Sequence, residues 1–320
     1  MKIEKALEPD EINLITLAQQ YADDDKAREL FESIRWPNGP VCPHCKSKEP
    51  YRIVGKKGSK SPTRKGVWKC KTCRKAFTAT VGTVLEGSHI PISKWMMTFF
   101  ILGSSKKGIS AHQIHRMVGV TYKTAWFLCH RVRYAMGTGA ATELLKGVVE
   151  TDETYVGGKP APGTGTAGRG TKHKVPVVAL VQRGGDVRTK VVAGVSKKNL
   201  RPFVEANIDK SATVNTDEFP TYEPLFKDWA RHDTVNHNEK EYARHNADGT
   251  VSHTNTAESF FSLLKRGVYG AFHHVSKEHL PKYCEEFSFR WNHRKVSDGQ
   301  RMVEAVKMVE GKRLTYRQVV

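Results

Sequence analysis

Two Cys-x-x-Cys pairs, Cys42-Pro-His-Cys45 and Cys70-Lys-Thr-Cys73, constrain this chain more than any other feature. Two residues between cysteines make a tight knuckle whose thiolates point at one centre, and two knuckles complete a tetrahedral Zn²⁺ site. Disulfides are the competing reading, but a reducing compartment favours metal for a repeated CxxC. Four cysteines leave no open position for water, so this Zn²⁺ is expected to hold a fold and do no chemistry. His44, inside the first knuckle, reads as a bystander. Cys129 and Cys284 fall on apolar helical faces and read as core.

The 320 residues carry 52 Lys and Arg against 33 Asp and Glu, a formal charge of +19, which points to nucleic acid as partner. The excess is concentrated. Residues 55–75, "GKKGSKSPTRKGVWKCKTCRK", hold nine basic residues and no acid, with Trp68 among them. Lying between the knuckles, this stretch suits a β-hairpin laid on DNA, with Lys56, Lys57, Arg64 and Lys65 as contacts. The apolar run "WMMTFFIL" is far shorter than the ~20 residues that cross a bilayer, so no membrane span is expected. The opening "MKIEKALEPDEINLI" has no secretory pattern, and cytoplasm, at the nucleoid when DNA is bound, is the expected compartment.

Length permits two or three domains. Residues 1–35 read as a helical lead-in, with Ala27, Leu30, Phe31 and Ile34 at helical spacing, and "WPNGP" breaks it before a zinc ribbon over 36–82. Residues 83–140 read as three helices. Ser93 is placed to cap the first, bearing Trp95, Phe99 and Leu102. Ser110 is placed to cap the second, with Ala111, Ile114 and Val118 on one side and Gly119 just beyond. The third runs from Thr121 with Ala125, Cys129, Val132 and Met136 in register. These are the parts of a helix-turn-helix, although a plain helical spacer has the same pattern. In that motif Thr121, Tyr122, Lys123 and Thr124 face base edges, and Arg131 and Arg133 lie near phosphates.

Residues 141–298 change period to that of a mixed α/β domain, followed by a tail over 299–320. Strands are predicted around "GVVETDETYVGG", "VPVVALVQR", "VRTKVVAGV", "SATVNTDEF" and "HDTVNH". Helices fall at "SKKNLRPFVEANI", "PTYEPLFKDWA" and from residue 255. The order β-β-β-α-β-α-β-α suits a mixed five-stranded RNase H-like sheet, in which the first and fourth strands are neighbours. Asp152 on the first strand and Asp217 at the end of the fourth then converge, and Glu258 on the last helix supplies a third carboxylate. Such a cluster needs cations, and two Mg²⁺ ions would serve an in-line displacement at phosphorus. Each acid also has a bland reading. Asp152 sits between Glu150 and Glu153 at an acidic strand end, with Glu150 on its own face and Glu153 opposite, and Asp217 precedes Pro220 as a turn residue does.

The stretch "HTNTAESFFSLLKRG" (253–267) puts Asn255 three residues before Glu258, the spacing of a capping pair. Lys265 follows Glu258 by seven residues, two turns on, and Ser262 shares that face while Phe260, Leu263 and Leu264 point away. Lys265 and its neighbour Arg266 can reach phosphate. Further on, Leu280, Cys284, Phe287 and Trp291 form a core stripe, with Arg290 and Arg294 placed for phosphate. His273 and His274 read as DNA contacts or structural residues, since no spaced partner set makes them metal ligands.

Taken together, "RWPNGPVCPHC", "WKCKTCRKAFTATVGTVLEGSHIPISKW", "VETDETYVGGK", "VNTDEFPTY" and "HTNTAESFFSLLKRGVYGAFHHVSKEHLPKYCEEFSFRWNHR" resemble the bacterial DDE insertion-sequence transposases of the ISXO-like class. Those enzymes have an N-terminal zinc ribbon and an RNase H-like catalytic domain. The resemblance implies DNA transposition, with water and then a 3′-hydroxyl as nucleophiles, on terminal inverted repeats bound by at least a dimer. Asp152 and Asp217 match the first two catalytic acids. The third is Glu, or Asn in some branches, before a basic residue; Glu258 is favoured here, with Asn255 as second choice or helper. The other readings are a DNA-binding regulator without catalysis and an RNase H-fold nuclease without strand transfer.

Overall fold

The computed structural model describes residues 8–54, 65–137, 143–157 and 174–315, so the expectations for Lys56, Lys57 and Arg64 lie outside the described residues. Two compact units divide the chain, one drawn from Met1–Ser105, Ile109–Gly137 and Lys295–Val320, the other from Lys106–Gly108 and Thr138–Arg294.

In the first unit, α1 (Leu14–Gln20) and α2 (Asp24–Arg35) are capped by Asn13 and Asp23, and α2 buries the predicted Ala27, Leu30, Phe31 and Ile34. An antiparallel ribbon follows, β1 (Pro50–Arg52), β2 (Val67–Cys70) and β3 (Ala76–Thr78), with β2 central. Three helices come next: α3 (Ile92–Ser104), α4 (Ala111–Val118) and α5 (Tyr122–Met136). Ser93 does not cap α3. The helix already begins at Ile92 after Pro91, and the Ser93 N–H instead donates to Asp24 Oδ1 at 3.1 Å. Ser110 does cap α4, its hydroxyl accepting the Gln113 N–H (3.2 Å). That helix ends at Gly119 with φ of +65°, a left-handed turn that glycine adopts without steric cost. Where a tail is expected, Asp298–Lys307 forms a further helix, packed on α3 and α2. Ser297 caps it, and Met302, Val303, Ala305 and Val306 are buried along it.

The second unit is built on a five-stranded sheet. Three antiparallel strands come first, β4 (Val148–Val156), β5 (Val175–Gln182) and β6 (Val187–Val191). Then β7 (Thr213–Asp217) adds parallel to β4, and β8 (Arg231–Val235) parallel to β7, so the order is β6-β5-β4-β7-β8. The connections are α6 (Lys197–Glu205) and α7 (Tyr222–Phe226). A short hairpin of β9 (Arg244–His245) and β10 (Val251–Ser252) precedes α8 (Asn255–Arg266). The chain continues through a π-helical turn at Gly267–Phe272 into α9 (Leu280–Asn292).

Both faces of the sheet are covered, which is why β5 reads as the unbroken apolar run Val177–Val181. Val178 and Leu180 pack with Leu200, Phe203, Tyr222 and Phe226 on one side. Val177, Ala179 and Val181 pack with Ala257, Phe260, Phe261, Leu264, Cys284 and Phe287 on the other. The apolar stripes of α8 and α9 thus place the N-terminal turn of α8 against β4.

Candidate active site and metal centre

In the ribbon, the four thiols of Cys42, Cys45, Cys70 and Cys73 lie within 4.8 Å of one another. Cys42 Sγ to Cys73 Sγ and Cys45 Sγ to Cys70 Sγ are both 3.6 Å. A tetrahedral Zn²⁺ with ~2.3 Å bonds sets its sulfurs about 3.8 Å apart, so the four thiols fit that ion. The knuckles are built alike. Lys46 and Arg74, each just past the second cysteine, take φ of +61° and +60°. Their N–H groups donate back to Cys42 and Cys70 carbonyls at 2.9 and 3.1 Å. A left-handed conformation costs a residue with a Cβ about 1 kcal/mol, and the paired turns show the same strained loop formed twice. His44 is exposed and outside the thiol cluster, while Cys129 and Cys284 are buried.

In the second unit, Glu150 on β4 pairs directly with Asn215 on β7. Side chains two residues on return to the same face, so Asp152 and Asp217 follow on the next rung. Glu258 and Lys265 of α8 join Asp152 around an open cleft of about 440 Å³, with Ser262 and Arg266 also on its wall. The clustering is visible in the protonation equilibrium. Burial first, and then the charges of Asp217, Glu153 and Glu258, push the Asp152 carboxyl up to about 8, although the Glu153 N–H donates to it at 2.7 Å. Asp217 is raised by burial and by Glu218, against the Phe219 N–H (3.1 Å) and His237. Glu153 turns the other way, as alternation requires, and accepts the hydroxyl of buried Tyr222.

The Asn255–Glu258 capping pair does not form. The helix starts at Asn255, its N-cap is Thr254, and no side chain of that cap bonds the first turn. Instead the fully buried Glu150 carboxylate reaches across from β4 to accept the Thr256 N–H (2.7 Å) and Ala257 N–H (3.0 Å). Asn255 is exposed and does not line the cleft, whereas Glu258 does. His237 is a neighbour that sequence reading missed: its Nδ1 stands 3.7 Å from Glu258 Oε1 and its Nε2 3.4 Å from Thr254 Oγ1. Topology held the signal. Asp217 pairs with Val235 on the parallel β8, so residues just beyond Val235 emerge at the same edge.

Most of the described residues expected at nucleic acid are at the surface. Thr121, Tyr122 and Lys123 are exposed at the start of α5, and half-buried Thr124 donates its N–H to the Thr121 hydroxyl at 3.2 Å. Tyr122 stacks on His112 with ring centroids 4.1 Å apart. Arg131 is half-buried with Nη1 on the Val84 carbonyl (3.2 Å), and exposed Lys65 pairs with Asp25. Arg294 is exposed, its Nη1 donating to the Gly185 carbonyl (3.0 Å). Two expectations are corrected. Arg133 is buried on the core side of α5, and Arg290 is buried over the Phe287 ring with Nη1 2.9 Å from Glu286 Oε1. Neither presents a guanidinium to a phosphate, because the helical period that put them at the surface ignored the second layer each helix packs against. His273 and His274 are exposed, in a γ-turn closed by the His274 N–H on the Phe272 carbonyl (2.7 Å) with His273 at φ +61°.

Comparison with known proteins bears on both units. Residues 22–76 match the transposase zinc-ribbon domain, and residues 144–292 match the ISXO2-like transposase domain. The chain is 31% identical over 285 residues to an "uncharacterized protein in transposable element ISH50" of Halobacterium salinarum, an alignment that covers 84% of this chain and 91% of that relative. It is 27% identical over 110 residues to an "uncharacterized transposase-like protein" of Haemophilus influenzae, covering 34% of this chain and 84% of the relative. No solved structure matches. A zinc ribbon joined to a mixed α/β transposase domain defines the class of protein. Within that class, the chain belongs to the ISXO2-like insertion-sequence transposases. Among the described residues no helix is long and apolar enough to cross a membrane.

Proposed function

We propose that this transposase binds the terminal inverted repeats of its element and cuts and joins DNA strands at a Mg²⁺-dependent site formed by Asp152, Asp217 and Glu258. The observation that carries the reading is the convergence of these acids from β4, β7 and α8, with the Asp152 carboxyl pushed up to about 8 by burial and by its acidic neighbours. A cluster that resists ionisation by itself fits divalent cations. Among the described residues the four thiols form the one group of three or more ligand side chains drawn close enough to share an ion. Bound at the acids, two Mg²⁺ would supply activation of an attacking oxygen and stabilisation of a leaving oxygen at phosphorus.

The chain's own residues have assigned parts. Lys265 and Arg266 hold backbone phosphates beside the acids. The order β6-β5-β4-β7-β8, three strands antiparallel and two parallel, supports an RNase H-like sheet. The α4–Gly119–α5 corner supports a helix-turn-helix in which Thr121, Tyr122, Lys123 and Thr124 read base edges, with Arg131 nearby. Zn²⁺ on the four cysteines holds the ribbon for end binding, and at least a dimer brings two ends together.

The test is incubation of the protein with labelled element ends and Mg²⁺ or Mn²⁺, scoring nicked and joined products separately. Both products are expected. Nicking without joining would leave a nuclease, and binding without either would leave a DNA-binding regulator.

A further inference from the structure

We infer that Glu150 is a positioning residue for the third acid: tied to Arg183, its carboxylate fixes the rotation of α8 and so holds Glu258 and Lys265 toward Asp152. The inference rests on reading these acids as the metal-binding site.

Glu150 is fully buried and its carboxylate is held by several hydrogen bonds. Oε1 accepts Arg183 Nε at 2.8 Å and the Thr256 hydroxyl at 2.8 Å, and lies 3.1 Å from His253 Nδ1. Oε2 accepts the Thr256 and Ala257 N–H groups at 2.7 and 3.0 Å. Arg183 extends the clamp to the segment entering the helix, donating Nη1 to the Val251 carbonyl (2.6 Å) and Nη2 to the His253 carbonyl (3.1 Å). With its amide turned to satisfy its neighbours, Asn215 accepts Arg183 Nη2 (2.9 Å) and the His253 N–H (3.2 Å). The rung beneath Asp152 and Asp217 is therefore a polar network in which the Arg183 guanidinium neutralises the Glu150 carboxylate. It adds no net charge to the acids above it.

A helix N-terminus needs only a local Ser, Thr, Asp or Asn for its cap. Here the cap is imported from the strand that carries Asp152, two residues from it on the same face. Helix and strand are thereby locked in register at the turn bearing Glu258. Each residue of slip would rotate Glu258 by about 100°, out of the cleft. Groups that orient metal ligands in this way change affinity about tenfold or more when altered.

The experiment is a Mn²⁺ titration of the full-length, zinc-loaded protein without DNA, read by electron paramagnetic resonance of free Mn²⁺. Glu150→Gln is expected to weaken Mn²⁺ binding about tenfold with zinc content unchanged. In a Glu258→Gln background it is expected to add nothing, because a residue acting through Glu258 has no effect once that ligand is gone. Wild-type affinity in Glu150→Gln, or a loss that adds to that of Glu258→Gln, overturns the inference. Should Glu150→Gln fail to fold, Thr256→Val, which removes one bond to Glu150, is expected to show the same non-additive loss at smaller size, and its absence overturns the inference equally. Asp152→Asn separates the two levels. If it abolishes Mn²⁺ binding while Glu150→Gln binds normally, the positioning role alone fails; if it leaves binding unchanged, the acid site fails and the positioning role with it.

Discussion

Asp152 and Asp217 stand on neighbouring parallel strands, each two residues beyond the directly paired Glu150 and Asn215. The lower rung is charge-balanced through Arg183, whereas on the upper rung burial and neighbouring acids raise both carboxyls against a weaker opposing charge from His237 on Asp217. On the proposed reading of the acids, that contrast separates a structural carboxylate, Glu150, from a metal-binding one, Asp152, on a single strand.

One consequence concerns metal-free stability. The Asp152 carboxyl lies near 8 in the folded protein and near 3.8 when unfolded. Between those values the unfolded chain has lost its proton and the folded one keeps it, so folding stability falls as pH rises from about 4 to about 8 and is level above. The slope contributed by this group is at most ~1.4 kcal/mol per pH unit. Thermal melts in EDTA are confounded by zinc, so the check is a melt of zinc-loaded protein free of other divalents: Asp152→Asn should flatten the pH dependence, and added Mg²⁺ should stabilise wild type most near pH 8.

The choice between Glu258 and Asn255 is open to substitution. Glu258 lines the cleft and Asn255 does not. Glu258→Gln should lower strand cleavage by about 10² or more, while Asn255→Ala should stay within about tenfold of wild type. Single-turnover cleavage rates decide it, and the reverse ranking would make Asn255 the ligand.

For the ribbon, Cys42→Ser removes one of four thiols held 3.6 Å apart in pairs. Folding of such a small sheet depends on its metal, so one zinc equivalent and most end binding should be lost together. Full end binding in a zinc-free protein would remove the ribbon from DNA recognition.

Exposed Lys123 of the α4–α5 corner and buried Arg290 of α9 predict opposite behaviour. Lys123→Ala should weaken end binding and reduce its salt slope by about one. Arg290→Met should leave the slope unchanged and act on stability instead, because it removes a buried ion pair with the Glu286 carboxylate. Fluorescence anisotropy across a salt series, with thermal melts alongside, measures both.

Much of this was readable from residue order. CxxC spacing identified the thiol cluster, and the change from helical to strand period placed Asp152, Asp217 and Glu258 on the elements where they are found. What escaped was long-range. A local spacing rule paired Asn255 with Glu258 as a cap, yet the cap comes from Glu150, over 100 residues earlier in the chain. The β9–β10 hairpin is too polar to show an alternating pattern, and His237 has no motif of its own. Arg133 and Arg290 look like surface cations on a helical wheel, and only the packing of further elements reveals that they are buried.

The most direct test is strand cleavage on end-labelled terminal repeats in Mg²⁺ by wild type, Asp152→Ala and Asp217→Ala, with end binding measured in the same samples. Both variants should bind ends as wild type does and yield no nicked or joined strand. Cleavage by either variant at a rate near wild type would contradict the assignment of these two carboxylates as the catalytic centre.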